Sequence, residues 1–239
     1  MLIMQDFLRF FGHGFCHQIP ARSLESGGLV FSVCARDTGI YLGFFFALIA
    51  AFLVYAKGRS KPAELPPVPY IVVLVLFIVP MAFDGLSSYL GLRPTTNTIR
   101  YVTGFLTGAA AGSIITPLLF GLRRDANPQQ KVFSRPLEVA FHLALTFALG
   151  AAFFFGYPYL GALSPFIGVA AFLTIVVCVN LILLSLNKRF TPRHTARHWL
   201  LILALALVCA LVEITLFGVA REIVVQTVLG GHEIYEFLS

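Results

Sequence analysis

Charge is what this chain has least of. Only 12% of its 239 residues are Asp, Glu, Lys or Arg, while 58% are hydrophobic. Soluble domains carry about 25% charged residues, so a water-soluble fold is excluded. Cysteine is scarce too, with four residues too scattered for a disulfide scaffold. The segment Met1–Phe15 lacks the basic start, long apolar middle and small-residue cleavage site of a signal peptide. It reads as an amphipathic helix lying on the membrane. No Gly-x-Ser-x-Gly, phosphate loop, dinucleotide fingerprint or His-Glu-x-x-His occurs. No Cys-x-x-Cys-His occurs either, which removes covalent haem attachment.

What the chain does have is apolar runs long enough to cross a hydrocarbon core of roughly 30 Å, which takes about 20 helical residues. Backbone polar groups cannot stay unpaired in lipid, and the runs are continuous rather than alternating, so they are helices. The fold class is therefore all-α, a polytopic membrane bundle. Six spans are expected, near 38–55, 70–90, 99–122, 137–156, 166–186 and 198–217. Residues 1–37 form an interfacial N-terminal segment with a Cys-His motif, and 38–239 form the bundle, together a single domain. Within the N-terminal segment, Gln18–Ser32 contains Pro20, Gly27 and Gly28 and reads as a loop or re-entrant stretch.

The net charge of +6 reads as membrane topology, not nucleic-acid binding. Lys57, Arg59 and Lys61 follow span one. Arg123, Arg124, Lys131 and Arg135 follow span three, and Lys188, Arg189, Arg193 and Arg197 follow span five. By the positive-inside rule these loops face the cytoplasm of a cell membrane, and both termini face outward. Cys16, His17, Cys34, Arg36 and Asp37 then lie outside. Asp84 sits about 14 residues into span two, roughly 21 Å from its inner end at 1.5 Å per residue. Asn97 and Arg100 open span three on the same side, and the same arithmetic carries Glu213 of span six to the same depth. Ionisable groups from distant segments thus converge on one outer layer.

Cys16, His17, Cys34 and Asp37 offer thiolate, imidazole and carboxylate donors, a set suited to zinc, with His13 a further donor nearby. Competing readings are a Cys16–Cys34 disulfide in an oxidising compartment, packed free thiols, and Asp37 as N-cap of the first span. Asp84 is an acid inside an apolar helix, a costly position that marks function by default. Arg100 stands at a helix N-terminus, where the dipole disfavours a cation, and Asp84 is its expected partner. Arg22, Arg36 and Arg100 can hold a phosphate or carboxylate. Gly104, Gly108 and Gly112 on span three, with Gly39 and Gly43 on span one, allow close helix approach. His142 and Asn180 fall toward the inner half as hydrogen-bonding groups between helices.

The run Cys16-His17-Gln18-Ile19-Pro20-Ala21-Arg22-Ser23, followed by Val33-Cys34-Ala35-Arg36-Asp37-Thr38-Gly39 and continuing to Gly43, resembles the membrane proteins grouped as domain of unknown function 2085. Asp84-Gly85 and Thr96-Asn97-Thr98-Ile99-Arg100 fit the same pattern. The resemblance implies a second cysteine where Asp37 stands, so this chain offers a carboxylate in place of a thiolate. The expectation is a membrane protein with an outer-interface site. Cys16, His17, Cys34 and Asp37 are the metal set, Asp84, Asn97 and Arg100 the catalytic groups, and Arg22 and Arg36 the substrate-binding groups. Zinc is the implied cofactor, an anionic or lipid-like molecule the substrate, and membrane lipids the surroundings. The alternative is an accessory subunit that docks to other membrane subunits.

Overall fold

The computed structural model describes residues 1–58, 60–187 and 196–227. Arg59, Lys188, Arg189 and Arg193, and the chain from Val228 on, lie outside the described residues. A short helix, α1 (Leu2–His13), precedes an antiparallel hairpin of β1 (Ser23–Ser26) and β2 (Leu29–Cys34). Six long helices follow: α2 (Ala35–Val54), α3 (Val68–Tyr89), α4 (Asn97–Gly121), α5 (Pro136–Gly156), α6 (Leu163–Ser185) and α7 (Ala196–Thr227). All six are long and apolar enough to cross a membrane. The all-α reading stands. The strands β3 (Lys61–Glu64) and β4 (Ala126–Lys131) pair in parallel between the α2–α3 and α4–α5 connections.

Gln18–Ser32 departs from the loop expected there. Gly27 and Gly28, at φ 59° and 72°, make a two-residue turn between β1 and β2. Both positions need left-handed backbone, which glycine adopts without strain. Ser26 Oγ donates to the carbonyl of Tyr157 at 2.7 Å and ties the hairpin tip to the α5–α6 turn. Gln5 clasps the other strand, accepting from the Val30 N–H at 2.9 Å and donating to its carbonyl at 3.1 Å. The hairpin thus holds Cys34, the last residue of β2, against fixed neighbours on two sides.

Helices α2 and α4 form the centre, and they are the most buried of the six spans. Their contact is built on missing side chains. A Cβ on Gly39 would lie 2.2 Å from the Tyr101 carbonyl oxygen, and one on Gly43 2.2 Å from that of Phe105. In return, a Cβ on Gly104 would lie 2.1 Å from the Arg36 carbonyl oxygen, and one on Gly108 1.9 Å from that of Ile40. Backbone meets backbone along the whole seam, as small residues permit in membrane helices. Outer helices leave much apolar surface free, as on α3, where Val72, Leu76, Val79 and Phe83 are exposed. This is the surface lipid covers.

Two polar expectations resolve differently. His142 does join helices: its Nε2 donates to the Ala47 carbonyl of α2 at 3.1 Å, and its Nδ1 lies 3.1 Å from Tyr70 Oη of α3. A carbonyl only accepts, so in the neutral ring Nδ1 is the acceptor for Tyr70. Glu213 does not reach the outer layer. It accepts from Asn180 Nδ2 at 2.9 Å, because α7 runs ten residues beyond the expected end of span six and sets Glu213 near its middle. Asn180, expected apart from the other polar groups, is its partner.

Candidate functional site

At the end of the bundle that carries the hairpin, residues from the turn after α1, from β2, α2 and α4, and from the end of α3 with the loop after it line a cavity of about 600 Å³. Cys16 and His17 come from the turn after α1, Cys34 from β2, Arg36 and Asp37 from the first turn of α2, and Arg100 from α4. Arg22 and Arg93 complete a set of four guanidinium groups, faced by the single carboxylate of Asp37. The lining is therefore rich in positive charge.

The approach to the site is fixed by Gln18. Its backbone is left-handed at φ 55°, uncommon for a residue with a side chain. That side chain donates to the carbonyls of Arg9 at 2.8 Å and Ser32 at 2.9 Å. Cys16 is thereby turned toward β2, and its Sγ accepts from the backbone N–H of Cys34 at 3.2 Å. Cys34, not Asp37, is the N-cap of α2. Asp37 stands in the first turn, where a negative charge complements the helix dipole, and its Oδ2 accepts from Cys34 Sγ at 3.3 Å. Both thiols are free. The donor atoms of Cys16, Cys34 and Asp37 all lie within 4.8 Å of one another. His17 is exposed on the cavity wall and stands outside that trio.

The two thiols differ in character. The Cys34 thiol beside it holds Cys16 below the ordinary thiol range, against burial and the charge of Asp37. Cys34 is pushed far up, first by its bond with Cys16, then by burial and by Asp37. The thiolate is the reactive form, so in chelator-treated, metal-free protein a water-soluble alkylating reagent is expected to modify Cys16 before Cys34, with half-maximal rate below the pH typical of a free cysteine. Cys34→Ala is expected to move that profile to higher pH and Asp37→Asn to lower pH. Mass spectrometry of the modified peptides across a pH series reads both shifts; a Cys16 profile that ignores both substitutions contradicts the assignment.

Behind the wall lies Asp84. Its side chain is 1% exposed, and it bonds Arg36 Nη2 through Oδ2 and Arg93 Nη2 through Oδ1 at 2.7 Å. The expected Asp84–Arg100 pair is therefore replaced. Arg36 rises from the first turn of α2, and Arg93, in the loop after α3, folds back over the end of that helix, with Nε on Ser87 Oγ at 2.9 Å and its guanidinium over the Phe83 ring. Those two occupy the carboxylate. Arg100 instead donates to Asn97 Oδ1 at 2.9 Å. Asn97 in turn donates to the carbonyls of Ala21 and Ser23, each at 3.2 Å. Asp84 and Asn97 thus orient the residues that line the cavity. Arg93 was not among the site residues expected from sequence; an arginine in a loop expected to face outward, against the positive-inside trend, was the available signal.

Comparison with known proteins covers the same part of the chain. A family described as "predicted membrane protein", domain of unknown function 2085, matches residues 16–114. The match runs from Cys16 past Arg100 and so spans the site. An uncharacterized protein of Methanothermobacter thermautotrophicus is 32% identical over 104 residues, covering 44% of this chain and 86% of its own length. An uncharacterized protein of Methanocaldococcus jannaschii is 34% identical over 105 residues, 44% of this chain and 64% of its own. This chain thus covers just under two thirds of the latter. No solved structure matches the chain.

Proposed function

The chain belongs to the domain of unknown function 2085 family of membrane proteins, and from its geometry we propose that it binds an anionic, lipid-like substrate in the cavity at its hairpin end. A zinc ion would sit in the cavity wall. The observation that carries this reading is the lining itself: four arginines and a three-donor cluster share one cavity of about 600 Å³. The Nε–H of Arg36 is buried and has no hydrogen-bond partner among the described residues. Such a group is costly unless a ligand satisfies it, and a phosphate or carboxylate would.

The donors fit zinc in type. Two thiolates and a carboxylate give three protein ligands, and a fourth position is left for water or a substrate oxygen, the pattern of catalytic zinc sites. When bound, zinc would polarise that oxygen or lower the pKa of bound water. Arg36, Arg93 and Arg100 would hold the anion, with Asp84 and Asn97 fixing the guanidinium planes. Arg22, exposed at the rim, would meet the substrate first. The distribution of basic loops favours an outward-facing site in the cell membrane, open to lipid headgroups.

Elemental analysis of the detergent-purified protein tests the metal. Stoichiometric zinc is expected in the wild type, with most of it lost in Cys34→Ser and in Asp37→Asn. No zinc in any of them, or undiminished zinc in the variants, overturns that half. For the anion, inorganic phosphate is expected to raise the thermal midpoint of the wild type in a concentration-dependent way and to do so much less in Arg100→Gln. Equal response of the two proteins, or none in the wild type, overturns the other half.

A further inference from the structure

A larger cavity, of about 770 Å³, opens at the opposite end of the bundle, among α2, α4, α6 and α7. Its walls are apolar: Phe45, Ile49 and Phe52 of α2, Leu119 of α4, Leu181 of α6 and Trp199 of α7. Its rim is not. Arg123, Arg124 and Asp125, in the turn after α4, stand at the mouth. Asp125 is taken up by Arg123, whose Nε lies 2.9 Å and Nη2 3.4 Å from its two carboxylate oxygens. Arg124 is exposed and makes no ion pair among the described residues. Among the described residues, Arg124 is therefore an uncompensated cation at the mouth. Phe52 and Leu200, both lining residues, are 43% and 66% exposed, so the cavity is reached from the bilayer side of the bundle.

We propose that this cavity is a binding site for an anionic membrane lipid of the leaflet at the basic end, with one acyl chain in the cavity and its phosphate at Arg124. The volume suits a ligand of that size, since binding cavities run from about 300 to 1,000 Å³. Charge decides between lipids. A zwitterionic headgroup gains little from an unpaired guanidinium at the rim, whereas a net negative one gains its full attraction. None of the residues in this cavity belongs to the hairpin-end site, so the two readings stand or fall separately.

Trp199 is the sole tryptophan of the chain, which makes the site directly observable. The protein would be reconstituted in phosphatidylcholine vesicles, and its fluorescence quenched by phosphatidylglycerol brominated on its acyl chains. Brominated phosphatidylcholine is the reference. The anionic lipid is expected to quench at about fivefold lower mole fraction, the preference one basic residue gives at a membrane surface. Arg124→Gln is expected to bring the two lipids to parity. Thr174→Phe, which fills the cavity from α6, is expected to reduce quenching by both while circular dichroism stays unchanged. Equal quenching by the two lipids in the wild type would mean ordinary contact with surrounding lipid and would overturn the proposal. So would a preference that survives Arg124→Gln, or quenching untouched by Thr174→Phe.

Discussion

Gly108→Ala is expected to destabilise the protein by about 3 kcal/mol, the upper range for overfilling a packed core. One methyl group is a small addition, but there is no side chain to move aside. The nearest atom is the backbone oxygen of Ile40, 1.9 Å from where the new Cβ would stand. Either helix must shift bodily. The seam is reciprocal, so a shift at Gly108 also strains Gly39, Gly43 and Gly104. Gly104 faces the backbone of Arg36, and the disturbance reaches the hairpin-end cavity. Gly156→Ala is the control, since a Cβ there meets nothing within 4 Å. Thermal unfolding in detergent should show a large loss for Gly108→Ala and almost none for Gly156→Ala. Equal midpoints for the two variants would contradict the close α2–α4 contact.

Asp84→Asn is expected to cost a similar amount, about 3 kcal/mol. Removing one member of a buried ion pair costs about 3–5 kcal/mol because its partner is left uncompensated. The lower end applies here, since the Arg36 and Arg93 side chains are 21% and 32% exposed beside the cavity and partly solvated. Asparagine keeps the shape and one acceptor, so the loss reports charge. Two arginines released from one carboxylate should also repel each other. Adding inorganic phosphate is expected to recover part of the lost midpoint, and to recover more in Asp84→Asn than it adds to the wild type. A variant as stable as the wild type would show that the carboxylate is not holding its arginines.

The spans were legible in the sequence because the rule behind them is composition alone. Runs such as Ile71–Val79 leave the backbone no alternative to a helix. The site was legible as a set of residues at one end, for the same reason: counting 1.5 Å steps along each span places Asp84 and Arg100 at one depth. Who bonds whom was not. Asp84 meets Arg36, 48 positions earlier, and Arg93, nine later; depth alone cannot choose among Arg36, Arg93 and Arg100. The hairpin carried a readable sign, Gly27-Gly28 between Leu24 and Leu29, which the neighbouring Pro20 and serines masked as loop. Glu213 shows the limit of depth counting itself. Its level depends on where α7 begins and ends, and the run of apolar residues does not mark either point sharply. The apolar cavity has no sequence signature, because its walls are ordinary membrane residues.

The ties between segments also impose an even-number rule on the chain. Two residues that touch at one face of a membrane must be separated by an even number of crossings. Asn97 bonds Ser23 across α2 and α3, and Ser26 bonds Tyr157 across α2 to α5. Arg221 donates to the Cys16 carbonyl at 2.8 Å across all six long helices. At the opposite face Lys61 pairs with Ala126 across α3 and α4. The counts are two, four, six and two. A single helix that turned back halfway would make at least one of them odd, so the contacts fit six complete passages by the six helices long and apolar enough to cross.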